Sequence, residues 1–114
     1  MGFPRKISLR SGAVIGRVIR QGRRYAHDPL KVHVLPADGV GKTLIAFAVP
    51  KYGHEIVERN LLKRRLQEIV RQSAVELTGY LAVVRCSPRA YERGYKELKD
   101  VYDRLVERIS ADRR

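Results

Sequence analysis

The stretch that most constrains this chain is Arg59-Asn60-Leu61-Leu62-Lys63-Arg64-Arg65-Leu66-Gln67-Glu68-Ile69-Val70-Arg71, which carries two patterns that only a helix satisfies together. At about 100° per residue, Leu62, Leu66, Ile69 and Val70 fall on one arc with Leu61 at its margin, while Asn60, Lys63, Arg64, Gln67 and Arg71 fall on the other. The first arc is predicted to pack and the second to stay free for binding. The charge is one-sided: Arg59, Lys63, Arg64, Arg65 and Arg71 meet a single acid, Glu68, so repulsion along the helix is largely uncompensated. A helix that merely faces solvent ordinarily mixes its signs. Guanidinium forks beside an amide suit a polyanion, whose phosphates and base edges they grip in fixed geometry.

Composition supports that reading. The 114 residues suffice for one domain with a modest core, and 24 Lys and Arg against 12 Asp and Glu leave a net charge of +12. Such an excess on a small chain argues for nucleic acid or an anionic membrane as partner. Membrane is the weaker choice, because no apolar run approaches the roughly 20 residues that span a bilayer and the N-terminus lacks a signal-peptide core. A single cysteine, Cys86, rules out an intrachain disulfide and fits a reducing cytoplasm. At a strand end it reads as a small core residue.

The excess is unevenly spread. Residues 1–27 carry +7 with no acid and residues 59–72 carry +4, whereas residues 89–114 interleave eight basic with six acidic side chains as on a solvated helix. The expectation is a binding surface that joins the first helix to the central one.

In chain order, residues 1–8 read as a flexible basic arm, residues 9–110 as the domain and residues 111–114 as a tail. Val14, Ile15, Val18 and Ile19 give a first helix over 9–21, with Ser11 as a candidate N-cap, Gly22 just past the end, and Arg10, Arg17 and Arg20 on the other side. After a basic turn at Arg23-Arg24, the runs Leu30–Leu35 and Thr43–Val49 predict a hairpin with a seven-residue connection. Gly39-Val40-Gly41-Lys42-Thr43 is not a phosphate-binding loop: Pro36 replaces the required first glycine, and a strand follows where a helix should begin. Tyr80–Arg85 reads as a buried strand, and Ser87-Pro88 as the N-cap and first residue of a last helix. Tyr91, Tyr95, Leu98, Tyr102, Leu105 and Ile109 form that helix's core stripe. Two or three strands between helices, then a strand and a helix, describe an α+β sandwich.

No nuclease centre assembles from these residues. Asp28, Asp38, Glu55, Glu58, Glu68 and Glu76 show no paired spacing, and His27, His33 and His54 lack metal-ligand spacing. If the chain serves RNA cleavage, the chemistry is expected elsewhere.

Lys51 followed by Val57-Glu58-Arg59-Asn60-x-x-Lys63-Arg64 resembles the signature of the bacterial ribonuclease P protein family. Val18-Ile19-Arg20-Gln21-Gly22-Arg23-Arg24, Val34-Leu35-Pro36 and Gly79-Tyr80-Leu81-Ala82-Val83-Val84-Arg85 resemble its first-helix ending, a strand end and its last strand, so the likeness runs from about Leu9 to Leu105. The resemblance implies a four-stranded sheet in the order α-β-β-β-α-β-α, a two-layer sandwich. It also implies a left-handed βαβ crossover holding the central helix, as in the second domain of ribosomal protein S-five. It implies a catalytic RNA with bound magnesium, held by RNA and substrate rather than by a protein cage, and a protein that is inactive alone and needs no protein partner. That protein helps the RNA hold precursor tRNA by its 5′ leader, in a cleft between the first helix and the sheet.

Carried over residue by residue, Arg59, Asn60, Lys63 and Arg64 meet the catalytic RNA, with Lys51, Arg65 and Arg71 adding charge; Ile15, Arg17, Ile19, Arg20, Arg23 and Arg24 are the leader-binding set. The chain departs from the family at Leu61 and Gln67, where arginines are common, and at Ile15 and Ile19, where stacking aromatics are expected. A structural RNA-binding protein of ribosomal type is the rival reading, and a stand-alone metal-dependent nuclease a third.

Overall fold

A computed structural model describes residues 12–37, 44–51, 53–73, 77 and 79–112. The order is α1 (Gly12–Gln21), β1 (Arg23–His27), β2 (Leu30–Pro36), β3 (Leu44–Ala48), α2 (Ile56–Gln72), β4 (Tyr80–Cys86), a 3-10 turn at Pro88–Glu92, and α3 (Tyr95–Asp112). The proposed N-cap Ser11, the N-terminal arm and the glycine-rich run 39–43 lie outside the described residues.

The four strands form one mixed sheet in the order β1-β2-β4-β3, antiparallel except for the parallel pair β3 and β4. The expected hairpin between 30–35 and 43–49 is therefore corrected: β2 pairs with β1 on one side and β4 on the other. The hairpin is β1–β2, closed through a cis Asp28–Pro29 bond, so Arg23 and Arg24 belong to a strand rather than a turn. β4 supplies the continuous apolar run that a strand buried on both faces needs, with Leu81, Ala82, Val83 and Val84 all buried.

Alternation along the strands sorts side chains to two faces. Leu30, Val32, Val34, Ile45, Ala82 and Val84 join Leu62, Leu66 and Ile69 of α2 and Leu98, Tyr102, Leu105 and Ile109 of α3 in the larger core. Ala46, Leu81 and Val83 face the other way, where Val18 of α1 is buried against them and Val14, Ile15, Ile19, Leu35 and Leu44 are packed around. The expected two layers thus gain a third, with α1 alone on one face and α2 and α3 on the other.

Local chemistry explains the joints. α1 ends at Gly22, whose N–H donates to the Val18 carbonyl at 2.8 Å; a Cβ there would lie 2.4 Å from that oxygen and 2.8 Å from the Val34 carbonyl, so only glycine lets α1 abut β2. The 17 residues of α2 contain no Gly or Pro, bury Leu62, Leu66 and Ile69 at helical spacing, and place Glu58 in the first turn and Arg71 in the last, as the helix dipole favours. Ser87 makes no side-chain cap and its backbone carbonyl starts only the 3-10 turn; Arg93 and Gly94 separate that turn from α3. Tyr91 therefore sits before α3, donating from its hydroxyl to the Pro50 carbonyl at 2.6 Å. α3 runs through Asp112, whose carboxylate accepts from the Tyr25 hydroxyl at 2.8 Å and pairs with Arg23 at 3.3 Å.

Candidate nucleic-acid interface

The cations fall on two surfaces with the sheet between them. The expectation that one surface joins the first helix to the central one is corrected, because α1 and α2 pack on opposite faces.

On the α2 side, Asn60, Lys63 and Arg64 are exposed and have no side-chain partner among the described residues. Lys51 is exposed in the segment before α2, its carbonyl accepting from the His54 N–H at 3.2 Å. Two other cations of this helix are engaged. Arg65 donates to the Arg93 carbonyl at 3.0 Å, and Arg71 pairs with Glu68 at 3.1 Å. Arg59 is half-buried, with Nε buried and without a hydrogen-bond partner among the described residues. It lies near Tyr91, whose ring stacks on His54 at 3.7 Å; burial raises the Tyr91 phenol above its ordinary range, and the Arg59 charge opposes that shift. Leu61, expected at the margin of the packed arc, is 56% exposed.

On the α1 side, Arg17 and Arg20 project from the helix and Arg24 from β1, all exposed, while Ile15 and Ile19 are half-buried against the smaller core. Arg23 is not with them. One residue along the strand from Arg24, it faces α3, where it pairs with Asp112 and lies over the Tyr25 ring at 5.5 Å.

The same face holds three residues that sequence reasoning missed. Lys31 of β2 pairs directly with Arg85 of β4, and His33 sits between Arg24 of β1 and Val83 of β4. Lys31 and Arg85 are exposed, neither has an ionic partner among the described residues, and like charges directly opposite destabilise a sheet. His33 is buried, with both ring nitrogens unpaired among the described residues. Burial lowers its pKa below the ordinary histidine value, and the Arg85, Arg24 and Lys31 charges push the same way, so at neutral pH the ring is uncharged. The signal was present in the sequence: Lys31 and His33, two apart, share one face of a strand whose other face is Leu30, Val32 and Val34.

Among the described residues no three His, Cys, Asp or Glu side chains converge to hold a metal ion, and no helix is long and apolar enough to cross a membrane. Cys86 is half-buried, and burial pushes its thiol up to about 11, away from reactivity.

A four-stranded mixed sheet with helices on both faces, and cations left unpaired among the described residues on two of its surfaces, defines a class: small basic α+β proteins. The model of the family described as Ribonuclease P matches residues 3–110. The Ribonuclease P protein component of a Nocardioides species is 34% identical over 107 residues, covering 91% of this chain and 92% of the relative; that of Symbiobacterium thermophilum is 34% identical, covering 88% of each. In fold, the chain is similar to a Staphylococcus aureus RNase P protein mutant with defective mRNA degradation activity (TM-score 0.82, 14% identity, 92% and 89% covered). It is likewise similar to the RNase P protein from Thermotoga maritima (TM-score 0.77, 18% identity, 89% and 96% covered). The chain belongs to the ribonuclease P protein family, and its function is that of a protein subunit of that endoribonuclease in tRNA processing.

Proposed function

We propose that the outer face of α2 binds the catalytic RNA of ribonuclease P, and that the α1 side of the sheet holds the 5′ leader of precursor tRNA. The observation that carries this is the Lys31–Arg85 pair: two cations held opposite one another by strand register, with Arg24 beside them and no acid in reach among the described residues. Apposed like charges are a cost that an anion laid across the strands converts to a gain. Arg17 and Arg20 border the same face from α1 and extend it for a single strand. On the other side, Lys51, Asn60, Lys63 and Arg64 offer phosphate and base-edge contacts without first breaking an internal bond. Arg23, Arg65 and Arg71 are held by partners within the chain.

On this reading magnesium belongs to the RNA and its substrate, and the work of this chain is positioning, in the cytoplasm and without a protein partner. The test is reconstitution with a ribonuclease P RNA at low magnesium. Protein alone is expected to leave precursor tRNA intact, RNA alone to cut it poorly, and the two together to cut it well. Sustained turnover by RNA-free protein that survives further purification overturns the proposal.

A further inference from the structure

Among the described residues the exposed large hydrophobics are Ile56, Val57 and Leu61, at 62%, 71% and 56% exposure, all in the first half of α2. Val57 and Leu61 are one turn apart and so adjacent on the helix surface; Asn60 lies one turn after Val57, and Arg64 follows one turn after Asn60 and Leu61. The strip therefore runs along the edge of the basic face, flanked there by Arg64. Exposed apolar patches rimmed by polar groups mark interaction sites.

We infer that this strip receives an unstacked nucleobase of the ribonuclease P RNA, beside a phosphate that Arg64 neutralises. The inference rests on the reading that α2 meets that RNA. The charges decide against a second copy of this chain, because Lys63 and Arg64 have no partner among the described residues and would face their own equivalents, on a chain of net charge +12. The acids of the region do not reverse this: Glu58 lies against His54 at 3.3 Å, Glu68 is held by Arg71 and Gln72, and Glu55 is a single carboxylate at the N-cap position. Aliphatic side chains contribute nothing to a phosphate contact. The apolar surface that RNA offers is the face of a base turned out of its stack, as in loops and bulges. Asn60 adds a donor and an acceptor to read the edge of that base.

The experiment is binding of the full chain to ribonuclease P RNA transcribed from the same genome, across a salt series. Val57→Ser/Leu61→Ser is expected to lower affinity by on the order of tenfold, with the slope of log affinity on log salt unchanged. Arg64→Gln is expected to reduce that slope by about 0.7 to 0.9. Leu61→Arg keeps the helix, steepens the slope by the same amount and loses affinity at high salt. A photo-reactive leucine analogue at position 61 should cross-link to the base of one unpaired nucleotide. Failure of the unaltered chain to bind the RNA sinks the reading beneath the inference. Normal binding together with an unaffected double variant sinks the inference alone, as does a dimer of the free protein that Leu61→Ser abolishes.

Discussion

On one face of the sheet, α2 and α3 cover the strands with Leu62, Leu66, Ile69, Leu98, Tyr102, Leu105 and Ile109; on the other, α1 covers the end near Leu35, Leu81 and Leu44 and leaves Lys31 and Arg85 in the open. The same strands serve both. Because side chains alternate, β2 gives Leu30, Val32 and Val34 to the larger core and Lys31 and His33 to the other side. One face is committed to stability, and the other carries charge that stability alone does not explain.

The largest effects are expected on the covered face. Leu66→Ala or Leu105→Ala should cost about 2–5 kcal/mol in urea unfolding, since each removes a side chain buried at the helix–sheet junction. Lys31→Gln and Arg85→Gln should leave stability unchanged or higher, because either relieves the cross-strand repulsion. If Arg85→Gln destabilises as much as Leu66→Ala, the division between the faces is wrong.

The open face should show itself in binding. Each of the two glutamine variants is expected to reduce the salt dependence of holoenzyme affinity for leader-bearing precursor by about 0.7 per lost phosphate contact, read by titration at three salt concentrations. Precursors of one-nucleotide and eight-nucleotide leader should differ with the unaltered protein and converge with the double variant. No difference at any leader length would remove the leader from this face.

His33 sharpens the comparison through pH. In the unfolded chain its ring titrates near about 6.5, while in the fold its pKa is lower, so below about 6.5 the unfolded state binds a proton that the native state does not. Stability should hold above that pH and decline as pH falls from 6.5 towards the folded value. His33→Phe should flatten the decline in unfolding curves taken at pH 7 and pH 5. The smallest effect concerns Cys86, whose thiol, pushed up to about 11, should react with a disulfide reagent at pH 8 much more slowly than an exposed thiol of ordinary pKa.

α2 was legible because one stretch carried both its packing period and its charge, and both survive in the structure. The last strand was legible for a similar reason, as an apolar run too short for a helix. The neighbours of β3 were not legible. Consecutive strands usually pair, so Leu30–Leu35 and Thr43–Val49 read as a hairpin, whereas β4 comes between them and pairs with β3 in parallel. The start of β1, Arg23-Arg24, reads as a turn because Arg23-Arg24-Tyr25-Ala26-His27 buries only Tyr25, too little apolar content for a strand signal. On the site, motif spacing found the cations of α2 but not Lys31, His33 and Arg85, which meet only through strand register. Arg23 and Arg24 look equivalent in sequence, yet alternation sends one to α3 and the other to the open face.

The place of β4 bears on how the chain is made. Synthesis proceeds from the N-terminus, so β1, β2 and β3 emerge before the strand that stands between β2 and β3 exists. Until residue 86 has left the ribosome, the β1–β2 hairpin and β3 have no shared partner, and the Val18 side chain of α1 lacks Leu81 and Val83. The nascent chain at that stage already carries the acid-free basic segment of residues 1–27 and the cations of α2, beside the RNA of the ribosome itself. Its last strand thus completes the sheet and ends the interval in which a highly cationic, unfinished chain is exposed to every RNA nearby.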